Sequence, residues 1–113
     1  MKVVINNCYG GFSLSDEGTE AYLKAKYPNS TITKEKSEYN FAGDDFYLDG
    51  EFFSNREITR DDAELVRVVE ELGKAADGMC AKLKIVEIPD DISWEIEEYD
   101  GMEWVSEVHR TWS

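Results

Sequence analysis

The residues best suited to chemistry stand at the two ends of the chain. Near the start, Cys8 and the Tyr9-Gly10-Gly11 loop follow a short apolar run and precede Ser13. Glycines between a strand and a helix can direct backbone N–H groups at a phosphate or a carboxylate. The loop lacks the full G-x-G-x-x-G fingerprint and the lysine of a Walker loop, so it is not a standard nucleotide motif. The structural alternative is a tight turn in which the glycines adopt positive φ.

The tail holds a second group of reactive side chains. Glu107, His109 and Arg110 fall within four residues and offer an acid/base pair beside an anion-binding guanidinium. Cys8 could serve as a nucleophile, for which His109 is the only histidine base. These residues define one alternative, a small hydrolase or transferase. The structural alternatives are a buried cysteine and a terminal strand or helix with exposed charges, so we assign no catalytic residue.

Arginine is scarce, with four residues in the chain. In an acidic protein, arginines either pair with carboxylates or serve an anionic ligand. Combined with the glycine loop, they suggest a site for a small anionic, nucleotide-like ligand. The candidate ligand-binding residues are Tyr9, Gly10, Gly11, Ser13, Arg60, His109 and Arg110.

Acidic residues dominate the charge. The chain has 25 Asp and Glu against 12 Lys and Arg, a formal net charge of −13. This balance argues against direct binding to nucleic acid or to an anionic membrane, and it suits a basic groove on another protein. The alternative is a solvated face that confers solubility. The candidate partner-binding residues are Glu95, Glu97, Glu98, Glu103 and Glu107.

Two helices are expected to position these groups. The first begins at Ser13 or Ser15 and runs to about Lys26, before Pro28. The second has Asp61 and Glu64 at capping-box spacing. An i, i+3, i+4, i+7 stripe predicts which side chains of the second helix face the core. The stripe consists of Leu65, Val68, Val69 and Leu72.

The remaining elements are expected to be strands. Val3–Ile5 and 81–88 predict two of them, and residues 29–44 suggest a long loop or a ragged strand. Asp49-Gly50 and Asp100-Gly101, each between alternating segments, are typical of two-residue hairpin turns. A helix from Met102 is the rival to the last strand. The order predicts one α+β domain over 1–113, with two helices and a mixed or antiparallel sheet of about five strands.

Several classes of site and location are not expected. One histidine and two distant cysteines do not supply a zinc site, and no motif implies a cofactor. No apolar run is long enough to span a membrane or form a signal peptide. We therefore expect a cytoplasmic protein with free thiols, and the oligomeric state stays open.

Four segments of the sequence carry a resemblance to known proteins. They are CYGGFSLS (8–15), KLKIVEIPDD (82–91), WEIEEYDGMEWV (94–105) and HRTW (109–112). Together they resemble a group of small phage, prophage and other bacterial mobile-element proteins. The resemblance covers about half the chain and carries no known catalytic residues. It implies a bacterial host cell and a role in phage–host conflict. The hypothesis is a non-enzymatic protein that counters a host system by binding a basic host protein or a small anionic ligand.

Overall fold

Two α-helices and seven antiparallel strands make up the described part of a computed structural model, residues 1–36 and 44–108. The helices are Asp16–Lys26 (α1) and Ala63–Leu72 (α2). The strands are Lys2–Asn6 (β1), Ile32–Lys36 (β2), Asp44–Leu48 (β3), Glu51–Phe53 (β4), Leu83–Glu87 (β5), Trp94–Tyr99 (β6) and Met102–Glu107 (β7). The predicted α+β class is confirmed. No helix in this part is long and apolar enough to cross a membrane.

The strands form three small sheets: β1–β5, β2–β3–β4 and β6–β7. The first sheet ends at β1 because the edge of β1 that faces away from β5 donates its N–H groups to acceptors that are not part of a neighbouring strand's backbone ladder. The Val4 N–H donates to the Arg60 carbonyl at 2.8 Å, and the Asn6 N–H donates to the Glu103 carboxylate at 2.8 Å. Strand β7 therefore approaches β1 through a side chain instead of extending the sheet.

Both hairpin predictions are confirmed, and the helical alternative for Met102 onward is wrong for residues 102–107, which form β7. At Asp49-Gly50 the φ angles are 51° and 86°, and at Asp100-Gly101 they are 55° and 92°. Positive φ at both central residues is the type I′ geometry that matches strand twist. The region predicted as a loop or ragged strand contains β2, and 37–43 lie outside the described residues.

The core lies between the helices and the first two sheets. Leu65, Val68 and Val69 are buried and Leu72 packs against them, so the predicted stripe is confirmed. Tyr22 and Leu23 of α1 meet it from the facing helix. The other buried residues of this cluster in the described part of the chain are Val4, Phe12, Leu14, Phe46, Ile58, Val66 and Ala76.

The N-terminal caps of both helices are serine or aspartate side chains. Ser15, one of the two predicted candidates, caps α1 and accepts a hydrogen bond from the Gly18 N–H at 3.0 Å. The prediction that Asp61 caps α2 is wrong, because Asp62 accepts from the N–H groups of Glu64 and Leu65. Asp62 also accepts from the Tyr22 hydroxyl at 3.0 Å and Lys26 at 2.7 Å, which binds the two helices together.

Asp62 makes the stability dependent on pH. Burial acts to raise the pKa of Asp62, but hydrogen bonds from Lys26, Tyr22 and backbone N–H groups outweigh it and lower the pKa. Because the pKa is lower in the folded state, the carboxylate contributes its full stabilisation at any pH above the unfolded-state pKa, which is about 4. That stabilisation is lost as the pH falls through the folded-state pKa.

We expect Asp62→Ala to lower the free energy of unfolding by about 1–2 kcal/mol, the usual cost of a lost cap. Asp62→Asn keeps a capping oxygen and should flatten the acid limb of stability, measured as urea midpoints from about pH 7 to about pH 3. The matched control is Asp61→Asn, which removes the same charge from the exposed neighbour. Equal acid limbs in the two variants would show that Asp62 does not carry this dependence.

Candidate functional site

The glycine loop follows β1 and lines a cleft of about 320 Å³. The cleft lies between this loop, the start of α1 and the β3–β4 hairpin. Its lining includes four phenylalanines and three aspartates. They are Phe12, Phe46, Phe52, Phe53, Asp16, Asp44 and Asp45, together with Arg56.

The two glycines serve a close backbone contact with the tip of the β6–β7 hairpin. The Gly10 N–H donates to the Asp100 carbonyl at 3.1 Å. A Cβ placed on Gly101 would lie 2.2 Å from the Gly11 nitrogen. Gly10 and Gly11 themselves have φ angles of 122° and 100°. The loop therefore uses its conformational freedom and one of its donors to seat the hairpin.

We expect Gly101→Ala to be more destabilising than Gly50→Ala by about 1–3 kcal/mol, the cost of overpacking. Both glycines are the second of the two central residues of a type I′ turn, but a Cβ on Gly50 would meet nothing within 4 Å. The difference in urea midpoints thus isolates the clash with the glycine loop from the cost of positive φ. Equal losses would show that the hairpin tip is not held against the loop.

The cleft rim is acidic. Both oxygens of Asp16, in the first turn of α1, accept a hydrogen bond from the Asp44 N–H, at 3.1 and 3.2 Å. Asp45 follows along β3 and also lines the cleft. With Ser15 capping the helix and Asp16 at its first turn, the positive end of the α1 dipole already faces anionic and polar oxygens. The potential of the rim therefore favours a cation.

The predicted ligand-binding residues do not converge in this cleft. Gly10, Gly11 and Ser13 line it, while Tyr9 is exposed on the same loop. Arg60 is not part of the described lining. His109 and Arg110 lie outside the described residues, so the structure does not describe the suggested acid/base pair of Glu107 with His109. Cys8 is half-buried and free, and its carbonyl accepts a hydrogen bond from Asn6.

Arg60 forms an ion pair with Glu103. The two guanidinium nitrogens meet the two carboxylate oxygens at 2.5 and 2.8 Å, a bidentate arrangement. The guanidinium carbon also stands 3.7 Å from the centre of the Phe12 ring, within the range of cation–π attraction. The Glu103 side chain is 5% exposed. Glu103 was predicted to belong to an exposed partner-binding surface, and its burial removes it from that surface.

The β6–β7 ladder sorts the remaining glutamates onto two faces. Cross-strand pairs share a face, so Glu95 and Glu97 lie with Trp104, opposite to the face that carries Glu98 and Glu107. Tyr99 has the same parity as Glu95 and Glu97. We call Glu95, Glu97, Tyr99 and Trp104 the outer face of the hairpin. The five glutamates predicted as one surface are thus divided between two faces.

The outer face combines fixed carboxylates with exposed aromatic rings. Tyr99 is 70% exposed and Trp104 is 44% exposed. The Trp104 indole N–H donates to Glu97 at 3.0 Å, and the Ser106 hydroxyl also donates to Glu97. These hydrogen bonds hold one carboxylate and one large ring in a defined arrangement. Alternation within the predicted hairpin was the signal that could have identified Tyr99 and Trp104 from the sequence.

The segment that carries this face has side-chain charges of one sign. From Ile85 to Val108 the chain has nine Asp and Glu and no Lys or Arg. Apart from Glu103, which pairs with Arg60, the glutamates of β6 and β7 are exposed. Because no basic residue of this segment neutralises them, these like charges produce a local negative potential.

The fold and these surfaces define an acidic α+β protein with a cleft and an aromatic, acidic hairpin. Within 1–36 and 44–108, no three His, Cys, Asp or Glu side chains are grouped so that they could hold a metal ion. Comparison with protein-family models, curated proteins and solved structures finds no match.

Proposed function

We propose that this chain is a non-enzymatic binding protein whose outer hairpin face occupies a basic surface of another protein, such as a nucleic-acid-binding groove. The observation that carries the proposal is the composition of that face. Carboxylates and exposed aromatic rings stand side by side on a segment without a single basic residue. Buried tryptophan and tyrosine anchors dominate binding energy at protein interfaces, while surface charge steers association.

The contacts favour this mechanism over sequestration of an anionic ligand. Of the groups suggested for an anion, Arg60 is paired with Glu103, and the Gly10 N–H is bonded to Asp100. Within the described residues, the cleft that the glycines line presents three aspartates against one arginine. A phosphate or carboxylate placed there would meet like charges, which is unfavourable in a partly enclosed site.

The biological setting of the proposal follows from the resemblance to phage and prophage proteins. The partner would be a bacterial host protein in the cytoplasm, with a basic surface that normally binds nucleic acid. Occupation of that surface would exclude the nucleic acid and so block the host protein, for example a defence nuclease. The acidic protein itself then has no need to bind DNA or RNA.

The experiment is capture from a bacterial lysate with three immobilised baits. They are the unaltered chain, Glu95→Lys/Glu97→Lys on the outer face, and Glu98→Lys/Glu107→Lys on the opposite face. The proposal expects a protein that is retained by the first and third baits, lost from the second, and eluted by salt. A captured protein that is retained equally by the outer-face variant and is not eluted by salt would contradict the proposal.

A further inference from the structure

The tip of the β6–β7 hairpin lies next to the cleft. Gly10 bonds to the hairpin tip at Asp100 and also lines the cleft, so the two features meet at the glycine loop. Beyond that loop stand Asp16, Asp44 and Asp45. A partner that contacts the hairpin at its tip would therefore lie next to the cleft.

The cleft has the size and lining for one large cationic side chain. Its volume of about 320 Å³ lies at the low end of small-ligand pockets, which begin near about 300 Å³. Phe52 is exposed and Phe53 is half-buried, so these two rings supply aromatic surface, and the aspartates supply negative charge. Arg56 also lines the cleft, so among the described lining residues one guanidinium stands against three carboxylates. Lys36 stands opposite Asp44 in the β2–β3 strand register, but it is not among the described lining residues.

The chain itself shows how these groups recognise a guanidinium. Arg60 packs over the Phe12 ring while both of its terminal nitrogens reach a carboxylate. Arginine suits such a combination because its planar group stacks on rings and forks onto carboxylates. In the cleft, aromatic rings and carboxylates again stand together, but with an excess of negative charge.

We propose that the cleft receives an arginine side chain of the basic partner. The inference rests on the proposed function for the identity of the occupant, and it makes the cleft the pocket for an anchoring residue at the centre of the interface. Charge complementarity selects the cation, and the contact between the glycine loop and the hairpin tip puts the cleft beside the proposed docking surface, within reach of a partner's side chain.

The test is a titration of the full ¹⁵N-labelled chain with N-acetyl-L-arginine amide, followed by NMR. We expect saturable shifts of the Gly10, Gly11, Phe46 and Phe53 amides. The corresponding citrulline amide, a neutral isostere, should produce none. Absence of saturable shifts, or equal shifts with citrulline, would overturn the inference. Spermidine that binds more tightly than the arginine amide would assign the cleft to a free polyamine and overturn it too.

Variants locate the binding. Asp44→Asn/Asp45→Asn should weaken arginine-amide binding at least about tenfold, the scale of one lost charged hydrogen bond. Glu70→Gln/Glu71→Gln, an equal charge change on an exposed part of α2, should leave it unchanged. Asp45→Asn alone serves if the double variant is misfolded. Unaltered binding in the aspartate variants would overturn the inference.

The hairpin variant separates this inference from the proposed function. Glu95→Lys/Glu97→Lys should still bind the arginine amide, because these side chains do not line the cleft. If the amide fails to bind while the hairpin-dependent capture succeeds, the cleft assignment is wrong and the proposed function stands. If the amide binds and capture fails, the outer hairpin face is not the docking surface.

Discussion

Replacing Glu103 with alanine is expected to lower the free energy of unfolding by about 3–5 kcal/mol, the scale for breaking a buried ion pair from one side. The change leaves the Arg60 guanidinium, whose side chain is 20% exposed, without its carboxylate. It also leaves the Asn6 N–H of β1 without its acceptor. Each loss carries a desolvation cost that the folded protein cannot recover. Urea denaturation measures the difference.

The control for this prediction is Glu98→Ala. Glu98 is the direct cross-strand neighbour of Glu103, with the same residue type on the same hairpin face, but it is exposed. Its loss should change the stability by less than about 0.5 kcal/mol. Similar midpoints for the two variants would mean that the Arg60–Glu103 pair does not hold the hairpin to β1.

The double variant Arg60→Met/Glu103→Leu distinguishes pairing from desolvation. Replacing both members of a buried ion pair by apolar groups is often close to neutral, because no unpaired charge remains. We expect the double variant to recover a large part of the stability lost in Glu103→Ala. If its stability is as low as that of Glu103→Ala, the cost arises from the bond to Asn6 or from packing.

The second large effect is on binding. Glu95→Lys/Glu97→Lys is expected to weaken the complex with the captured basic protein at least about 100-fold, which corresponds to about 2.7 kcal/mol. Two attractions become repulsions, and Trp104 loses the carboxylate that orients its ring. Calorimetry or surface plasmon resonance with the purified partner provides the measurement.

Glu98→Lys/Glu107→Lys has the same change in charge on the other face of the ladder, so it controls for net charge. We expect it to weaken binding by less than about tenfold, through long-range electrostatics alone. The affinity of the unaltered chain should also fall steeply with salt, because charges are screened over about 8 Å at physiological ionic strength. Equal losses in the two charge variants would mean that net charge, and not the outer face, determines binding.

Both hairpins and the α2 core stripe could be predicted from the sequence because their signals are local. The dipeptide Asp-Gly between alternating segments favours positive φ at two successive residues. This backbone geometry is that of the type I′ turn, which joins the two strands of a hairpin. Leu65, Val68 and Val69 recur at the helical period, so they must share one face. The N-cap of α2 was placed one residue early because Asp61 and Asp62 are equivalent until Tyr22 and Lys26 contact one of them.

The sequence by itself determined the α+β class, the acidic charge and the glycine loop at the end of the first strand. Only the tertiary structure decided what those features do. Arg60 and Glu103 lie 43 residues apart, so no local pattern relates them. Arg60 was a candidate for binding an anion and Glu103 for contacting a partner at the surface, but their pairing uses both side chains to hold β7 against β1. The β6–β7 register likewise divides the glutamates, because side chains alternate between faces and only packing decides which face is covered.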